Sequence, residues 1–333
     1  MSSEFNASEH VPARPQAPPA CHSGYEHEAF FYTGPDEFMA GTLSFIREAL
    51  AADEAILVVL DAAKITRLRH ELNGDAERVR FADMAEVGAN PARIIPAWQD
   101  FVDSHAGPEH RLWGIGEPIW AGRSPAELAE CQRHEELLNV VFSNPEFSLL
   151  CPYDVDALDA AVIERARRSH QFVREGGARR ESSHFPGVAE LAAPFDERLP
   201  DPPNTAALRV FGTGELGDTR RWVGARARVA GLVEHRTQDL ILAVNEITTN
   251  SVVHGGGAGS VSVWREDDTV ICEVRDDGVI ADPLAGRRRP PEEAVGGRGL
   301  WIANQVCDLV QVRTFKTGGV VRMHMRLAGA HAR

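Results

Sequence analysis

The sequence predicts two domains of different class, an α/β domain with a mostly parallel sheet followed by an α+β sandwich. The chain has 333 residues, which is enough for about two domains. In its first half, apolar strand patterns alternate with helical patterns, whereas in its second half two helices precede a group of antiparallel strands. Residues 187–206, which end in a proline-rich run, separate the halves and are predicted to form a linker.

Strand and helix patterns alternate through residues 23–186. The predicted strands are AILVVL (55–60), VRFAD (79–83), RLWGIG (111–116) and FSLLCPYD (147–154), and a helical pattern follows each. Repeated β-then-α order is typical of a parallel sheet with helices on both faces, and continuously apolar strands agree with that burial. The first 22 residues are rich in Pro, Ala and Ser and are predicted to be a disordered tail.

Residues 207–328 show a different order of elements. The strand ALRVFG (207–212) precedes two helical segments, of which the second is TQDLILAVNEITTNSVVH (237–254). The strands VSVWRE (261–266) and TVICEVRD (269–276) follow, and a terminal hairpin turns at KTGG (316–319). The irregular loop at residues 275–299 is too long for a simple connection and is predicted to be a lid or binding loop.

Charge and composition exclude several classes of function. The chain has 35 Lys and Arg against 49 Asp and Glu, and its formal charge of -14 disfavours direct DNA binding as the main activity. Its five cysteines contain no CxxC pair and fit a reducing cytoplasm. No apolar run approaches about 18 residues and the N-terminus lacks a signal-peptide pattern, so a cytoplasmic protein without membrane contact is predicted.

A stripe of polar side chains follows the second helix of the second half. Glu246, Asn250 and His254 are spaced four residues apart, so they lie on one side of the helix. A carboxamide oxygen suits Mg²⁺ that already holds phosphate oxygens, and a carboxylate one turn away can act as a general base. A solvated polar face is the alternative, and His254 could simply bond a carbonyl of the last turn.

Three motifs occur in order along residues 206–328. They are NEITTN on a helix, DDG at the end of a strand, and GGRGL at the start of the next helix. This set resembles the N, G1 and G2 boxes of the GHKL family of ATP-binding domains, which have a Bergerat-type α+β sandwich. Within the family, the chain looks similar to RsbW-like anti-sigma-factor serine kinases. The resemblance implies ATP and Mg²⁺ as cofactors, Asn250 as the Mg²⁺ ligand and Glu246 as the general base.

The other two boxes supply the remaining candidate contacts to the nucleotide. Asp276 ends a strand, where a buried carboxylate can accept a hydrogen bond from the adenine amino group, and Gly278 lets the backbone approach the base. Free amide groups and the helix dipole favour phosphate at the start of the last helix. The residues there are Gly297, Arg298, Gly299 and Leu300. Ile280 replaces the second glycine of the family's DxGxG pattern, so a weaker affinity for ATP is expected.

Two other patterns carry weaker signals. The run Arg287, Arg288 and Arg289 in the long loop is expected to be solvated, with phosphate contacts as the alternative. The stretch GTGELG (212–217) fits the dinucleotide fingerprint, but two helices follow it instead of a parallel strand that ends in an acid. Dinucleotide binding is therefore not expected there.

Four motifs in the first half resemble the MEDS domain, a sensory module first described in the methanogen and methylotroph regulator DcmR. They are HEAFFY (27–32), GEPIW (116–120), HEELLN (134–139) and CPYD (151–154). The resemblance covers residues 23–186 and implies a degenerate RecA-like sheet that senses a small organic ligand. Six motif residues are predicted to converge at the carboxyl edge of the sheet, with capping or packing as the alternative for each. They are His27, Glu117, Glu135, Asn139, Tyr153 and Asp154.

Two functions remain open at this point. In the first, the GHKL domain phosphorylates a STAS-type antagonist, with Glu246 as base, and otherwise binds and silences an alternative sigma factor. In the second, ATP gates the binding of the sigma factor without phosphoryl transfer. A two-component histidine kinase ranks last, because His134 lies within an α/β pattern and not in a dimerising hairpin. The family resemblance favours a homodimer, and we expect a ligand in the first domain to shift nucleotide or partner affinity in the second.

Overall fold

The computed structural model describes residues 24–105, 107, 110–143, 145–193, 195–291 and 297–328. Two β-sheets organise these residues, one in each half of the chain. The predicted disordered tail at residues 1–22 lies outside the described residues. Within the described part of the chain, no helix combines the length and the apolar character that crossing a bilayer requires.

The first half alternates strands with helices. Its strands are β1 (Glu26–Tyr32), β2 (Ile56–Leu60), β3 (Arg80–Asp83), β4 (Leu112–Gly116), β5 (Phe147–Asp154), β6 (Phe172–Glu175) and β7 (Ala178–Glu181). Its helices are α1 (Gly34–Ala51), α2 (Ala62–Leu72), α3 (Met84–Val87), α4 (Ile94–His105), α5 (Pro125–Val141), α6 (Ala160–Ser169) and α7 (Val188–Leu191). Two short 3-10 helices lie at Asn73–Arg78 and Pro91–Arg93.

The seven strands form one sheet in the order β3-β2-β4-β5-β1-β6-β7. All neighbouring strands run parallel except β6 and β7, which form an antiparallel hairpin at one edge. Strand β2 is buried along its whole length, because helices cover both faces of the sheet. The predicted α/β class with a mostly parallel sheet is therefore confirmed.

Each face of this sheet has its own apolar core. Helices α1 and α2 cover one face through residues such as Phe38 and Leu68, and α4, α5 and α6 cover the other through residues such as Trp98. The Trp98 indole packs directly against β4, where a Cβ atom on Gly114 or Gly116 would lie 2.9 Å from the ring. Burial of a large apolar side chain stabilises the fold by on the order of 3 kcal/mol, so these two glycines preserve a major contact.

Helix α5 is covered on two sides. It begins at Pro125 after a capping box, in which Ser124 and Glu127 bond each other's backbone amides. Its buried polar residues are Glu127, Glu130, Arg133, His134, Glu135 and Asn139. Such a composition is typical of a solvated helix, yet Glu135 of α5 faces the first sheet and Glu130 faces the second half of the chain. Polar contacts on both sides therefore replace water around α5.

The second half contains three helices and five strands among the described residues. The strands are β8 (Ala207–Gly212), β9 (Ala258–Glu266), β10 (Thr269–Asp276), β11 (Leu309–Phe315) and β12 (Gly318–Arg326). The helices are α8 (Leu216–Val229), α9 (Glu234–His254) and α10 (Gly299–Val306). The strands form an antiparallel sheet in the order β11-β12-β10-β9-β8.

The helices of the second half pack on one face of its sheet. Apolar residues of α9, such as Val244 and Ile247, meet inward residues of the strands, such as Cys272 and Met323. Inward and outward side chains alternate along each strand, because successive residues of a strand point to opposite faces. The predicted α+β sandwich is therefore confirmed.

The outer face of the second sheet is polar and holds part of the predicted linker. Glu273 on β10 accepts hydrogen bonds from Arg322 at 2.7 Å and from Arg275 at 2.6 Å. Arg322 also donates to the Pro200 carbonyl at 2.5 Å, and the amide of Thr314 donates to the Phe195 carbonyl at 3.2 Å. Residues 195–201 thus follow this face closely.

The outer face also carries His324, whose imidazole lies 3.1 Å from Gln311 Oε1. Burial, together with the nearby Arg322, lowers the pKa of His324 from 6.5 to about 4. As the pH falls below 6.5, His324 therefore binds a proton in the unfolded chain before it does so in the folded chain. The free energy of unfolding decreases for this reason until the pH reaches about 4. We expect His324→Gln to reduce the stability lost between about pH 7.5 and pH 5 by roughly 1–2 kcal/mol.

Urea unfolding at several pH values measures this difference. His235→Gln serves as the control, since His235 is exposed on α9. A pH profile for His324→Gln that matches those of the wild type and of His235→Gln would contradict the prediction.

Candidate nucleotide site

A cavity of about 280 Å³ opens between α9, the end of β10 and the start of α10. Its volume lies near the lower end of the range of about 300–1,000 Å³ that is typical of small-molecule sites. The predicted nucleotide-binding residues in its wall are Asn250, Asp276, Gly278, Gly297 and Leu300. The apolar side chains Ile247, Ile280 and Val321 form another part of the wall. The cavity therefore combines an apolar surface with a small number of polar groups.

Two donors hold the carboxylate of Asp276 in one orientation. The hydroxyl of Ser251 donates to Oδ2 at 2.5 Å, and the backbone amide of Gly278 donates to Oδ1 at 2.7 Å. Each oxygen keeps a second lone pair, so the carboxylate can still accept a hydrogen bond from an amino group in the cavity. Sequence reasoning did not identify Ser251, whose hydroxyl meets Asp276 only because α9 packs on the end of β10.

Glycine is required where the chain passes closest to Asp276. A Cβ atom on Gly255 would lie 2.6 Å from Asp276 Cγ, and a Cβ atom on Gly278 would lie 3.0 Å from the Cα of Gly255. The three glycines after His254 therefore do more than end the helix, because the first of them leaves room for the carboxylate. Gly255 is a second residue that the motif analysis missed.

The start of α10 lies against the polar stripe of α9. A Cβ atom on Gly299 would come within 2.7 Å of Asn250 Nδ2 and 3.3 Å of Glu246 Cβ. Both side chains of the stripe are partly exposed, and Asn245 donates to Glu246 Oε1 at 3.1 Å. Arg220 of α8 in turn donates to the Asn245 side chain. The predicted base and the predicted Mg²⁺ ligand thus face the helix N-terminus that favours anions.

His254 and Arg298 have less defined surroundings. His254 lines the cavity, is exposed, and makes no imidazole hydrogen bond to a last-turn carbonyl within the described residues. Arg298 is also exposed and donates to the Pro291 carbonyl at 3.3 Å. Residues 292–296, which complete the long loop, lie outside the described residues.

The long loop after Asp276 packs onto the first domain. Leu284 joins an apolar core of that domain, and Arg287 is only 8% exposed and pairs with Glu130 of α5. Arg289 pairs with Asp100 of α4 at 3.1 Å, while Arg288 is exposed. The expectation of a solvated arginine run is therefore wrong for Arg287, because a buried carboxylate of the other domain neutralises it.

The first domain also contacts the end of α10. Arg93 donates to the carbonyls of Asn304 at 2.9 Å and Gln305 at 2.6 Å, and Asn90 donates to the Asn304 carbonyl at 3.1 Å. The last turn of α10 contains no basic residue of its own. A cation near a helix C-terminus is favourable, so Arg93 supplies from the first domain what α10 lacks.

The six predicted sensor residues fall into separate groups instead of meeting at one edge of the sheet. Glu117, just after β4, accepts hydrogen bonds from Tyr32 at 2.9 Å and from Lys64 at 2.5 Å. Burial raises the pKa of Glu117, while the nearby Lys64 ammonium opposes this shift. Asp154 ends β5 and caps the following turn by accepting two backbone amides. Glu117 and Asp154 thus lie at the carboxyl ends of their strands.

The other four predicted sensor residues lie on the opposite side of the sheet from Tyr32. His27, Glu135, Asn139 and Tyr153 are all buried there. The structure adds two residues that sequence reasoning missed, Cys151 and His170, which lie beside His27. Cys151 belongs to the CPYD motif, which was the available signal, whereas His170 follows α6 outside every motif.

Two models of known families match separate parts of the chain. Residues 26–171 match the model of the MEthanogen/methylotroph, DcmR Sensory domain, abbreviated MEDS. Residues 213–325 match the model of the histidine kinase-like ATPase domain. Both predicted resemblances are therefore confirmed at the level of the domain family.

Solved structures give weaker similarities. The RsbU and RsbW domains of Rv1364c from Mycobacterium tuberculosis match with 16% identity and a TM-score of 0.27, over 36% of this chain and 32% of that chain. This chain thus spans about a third of the mycobacterial chain. The Acinetobacter baumannii histidine kinase AdeS matches with 11% identity and a TM-score of 0.22, over 37% of this chain and 68% of that chain.

None of the curated proteins gives a significant match. The family assignment therefore depends on the two domain models, and the described cavity lies within the range of the second. The chain combines a MEDS sensory domain at residues 26–171 with a histidine kinase-like ATPase domain at residues 213–325.

Proposed function

We propose that the second domain binds ATP with Mg²⁺ and transfers the γ-phosphoryl group to a serine or threonine of a STAS-type anti-sigma antagonist. When it is not engaged with the antagonist, the domain binds and silences an alternative sigma factor. One observation carries the proposal: Asp276 and Asn250 line the same cavity, and Glu246 lies with Asn250 against Gly299 at the N-terminus of α10. The reaction needs a carboxylate that binds adenine, an amide that binds Mg²⁺ and a second carboxylate that accepts the hydroxyl proton.

The cavity offers a fitting environment for each part of ATP. The carboxylate of Asp276 accepts a hydrogen bond from the adenine amino group. The apolar wall that includes Ile247 and Ile280 covers the faces of the ring. The first amide groups of α10 meet the phosphates, because Gly297 and Gly299 place no side chain in front of them. Asn250 binds the Mg²⁺ that accompanies the phosphates.

Glu246 provides the base for the transfer step. The substrate hydroxyl oxygen forms a bond to the γ-phosphorus while the bond from that phosphorus to the bridging oxygen of ADP breaks. The hydroxyl proton passes to the Glu246 carboxylate, which a hydrogen bond from Asn245 holds in place. Most of the acceleration of phosphoryl transfer comes from positioning the reactants and stabilising the charge on the phosphates. The base and the helix N-terminus must therefore both face the γ-phosphoryl group.

Replacing Asp276 with Asn tests the adenine contact. The amide group keeps the size of the carboxylate but replaces one of its two oxygens with an NH₂ group, so it cannot accept from Ser251, Gly278 and the adenine together. We expect ATP affinity, measured by calorimetry, to fall by about 10–100-fold, which corresponds to one lost hydrogen bond to a charged group. Asp277→Asn is the matched control, since Asp277 is exposed and should leave the affinity unchanged. Equal affinities for the two variants would argue against Asp276 as the adenine acceptor.

The contacts between the domains support control by the sensory domain. Glu130 on α5 binds Arg287 in the lid and also Arg313 on β11. A small organic ligand that shifts α5 would therefore change the position of the lid over the cavity, provided that it binds the two positions of α5 with different affinity. The proposal also includes a homodimer, which the family resemblance alone supports.

A nucleotide-gated binding module without phosphoryl transfer is the second candidate. Two observations favour it: Arg287 of the lid pairs with the first domain instead of facing the cavity, and Ile280 replaces a glycine of the family pattern. In that case ATP would change the shape of the lid and the affinity for a sigma factor, with no chemical step.

One experiment separates the two candidates. The tagged full chain is used to capture partners with and without Mg²⁺–ATP, next to Asn250→Ala, and the captured sigma factor and STAS protein are then purified. Transfer of label from γ-labelled ATP to the STAS protein supports the kinase. Nucleotide-dependent capture of a sigma factor without any transfer supports the binding module. Nucleotide-dependent capture of a response regulator, or of no protein, would contradict the anti-sigma assignment.

A further inference from the structure

Four metal-ligating side chains meet at the buried centre of the MEDS domain, outside the nucleotide cavity. They are His27, Glu135, Cys151 and His170, whose ligand atoms all lie within 4.8 Å of one another. Each of these residues is at most 1% exposed. They come from β1, α5, β5 and the segment after α6, so the fold itself brings them together.

The distances within this cluster fit a tetrahedral ion. Glu135 Oε2 lies 3.1 Å from His27 Nε2 and 3.3 Å from His170 Nε2, and Cys151 Sγ lies 3.4 Å from His27 Nε2. In a tetrahedral zinc site, with ligand bonds of about 2.0–2.3 Å, neighbouring ligand atoms lie roughly 3.3–3.7 Å apart. These three contacts are close to that spacing, and ligand separations of up to 4.8 Å would shorten by about 1 Å around an ion.

The hydrogen bonds of the two imidazoles determine which nitrogen carries the proton. His170 Nδ1 lies 2.8 Å from the Ala166 carbonyl, which can only accept. His27 Nδ1 lies 3.3 Å from Asn139 Oδ1, and the Asn139 amide is oriented because its nitrogen donates to the Ser169 carbonyl at 2.8 Å. Both Nδ1 atoms are therefore donors, and both Nε2 atoms present a lone pair.

Those two lone pairs point at the same carboxylate oxygen of Glu135. Two imidazole lone pairs and a carboxylate oxygen repel one another, and a cation placed between them removes that repulsion. Two atoms of the cluster, Glu135 Oε1 and His170 Nε2, are buried without a hydrogen-bond partner among the described residues. Buried polar atoms that lack a partner call for an explanation, and a bound cation provides one.

We infer that His27, Glu135, Cys151 and His170 hold a divalent transition-metal ion, with Zn²⁺ as the best match to the donor set. Imidazole nitrogen, carboxylate oxygen and thiolate sulfur are the ligands that Zn²⁺ takes in tetrahedral sites. The charge of the ion balances one carboxylate and one thiolate, so the buried site is neutral. Ligating histidines usually donate their second nitrogen to a carbonyl or carboxylate, as His27 and His170 do here.

The position of the site gives it a structural role in the sensor. Glu135 lies on α5, five residues after Glu130, which binds Arg287 of the lid. An ion between α5 and two central strands would fix this helix against the sheet. Loss of the ion would release α5 on the side that faces the ATPase domain.

The test uses the full chain, stripped with a chelator and titrated with Co²⁺ as a spectroscopic probe. We expect one Co²⁺ per chain, visible absorption bands typical of tetrahedral coordination, and a near-ultraviolet band from thiolate-to-metal charge transfer. Added Zn²⁺ should abolish these bands. Absence of the charge-transfer band in the wild-type chain would overturn the inference without any variant.

Variants assign the ligands individually. Cys151→Ser should lose the charge-transfer band, and His170→Gln should weaken Co²⁺ binding. Cys131→Ser should retain both signals, since Cys131 is equally buried in the same domain but bonds the Pro118 carbonyl. We expect Asn139→Leu, which removes the acceptor for His27 Nδ1, to weaken binding by about 10–100-fold.

Circular dichroism of each variant controls for folding. Addition of Zn²⁺ should raise the thermal midpoint of the wild type and of Cys131→Ser, because the ion binds only the folded state. Cobalt bands that persist in both Cys151→Ser and His170→Gln would show that the ion binds elsewhere and would overturn the assignment.

Discussion

Glu246→Gln is expected to slow phosphoryl transfer to the antagonist by about 10²–10⁴-fold, the usual contribution of a general base. Glutamine has the shape of glutamate, and its side-chain oxygen can still accept the hydrogen bond from Asn245. It cannot accept the hydroxyl proton in the transfer step. The proposed adenine acceptor is a different residue, Asp276 at the end of β10, so we expect ATP affinity to remain close to that of the wild type.

Single-turnover transfer of labelled phosphate, with ATP binding measured separately, gives both quantities. Glu234→Gln is the matched control, because Glu234 lies in the first turn of the same helix and forms an exposed pair with Arg228. Wild-type transfer by Glu246→Gln would show that another group takes the proton. Loss of ATP binding together with transfer would show that Glu246 supports the cavity instead of the chemical step.

Glu130→Ala is expected to destabilise the full chain by about 3–5 kcal/mol, since it leaves two buried guanidinium groups without their carboxylate. Glu130 is 1% exposed, and its oxygens accept from Arg313 at 2.7 Å and from Arg287. Arg313 keeps hydrogen bonds to the Val312 and Glu197 carbonyls, but Arg287 loses its carboxylate. Burial already lowers the pKa of Arg287, which reflects the cost of a cation at this place.

Urea unfolding of the full chain measures the loss. Asp100→Ala is the control, because Asp100 pairs with Arg289 of the same loop while both side chains are more than half exposed. An exposed pair contributes at most about 1 kcal/mol, so this variant should unfold close to the wild type. Equal unfolding free energies for the two variants would mean that the Glu130 contacts do not hold the domains together.

The local motifs of the ATPase domain could be predicted because they depend on short-range geometry. The helical repeat places Glu246 and Asn250 on one side of α9 whatever surrounds it. The strand end at Asp276 and the glycine-rich start of α10 follow from turn and helix-start signals that a few residues carry. The same reasoning could not find Ser251 or Gly255 as neighbours of Asp276, since those contacts arise only when α9 packs on β10.

The contacts between the domains could not be predicted from composition or periodicity. Glu130 and Arg287 are separated by 157 positions, and a charged residue on a helix or in a loop is normally solvated. The metal-binding cluster could not be predicted for the same reason, because His27 and Glu135 are 108 positions apart. Their contact depends on β1 lying beside β5 in the sheet, and strand order is not encoded in any one segment.

The prediction of one sensor site at the sheet edge failed for a simple geometric reason. His27 and Tyr32 belong to the same strand but are separated by an odd number of positions, so their side chains point to opposite faces. Glu117 lies with Tyr32, whereas Glu135 lies with His27. A motif such as HEAFFY therefore contributes side chains to both faces of the sheet.

Helix α10 makes nucleotide binding and the docking of the two domains cooperative. Its eight residues make only about two turns, and an isolated helix of that length is not stable in water. An anion at its amide end and Arg93 at its carbonyl end stabilise the same helical state. By linkage, the factor by which domain docking raises nucleotide affinity equals the factor by which the nucleotide tightens docking. The empty ATPase domain should accordingly hold its sensory partner less firmly than the loaded one.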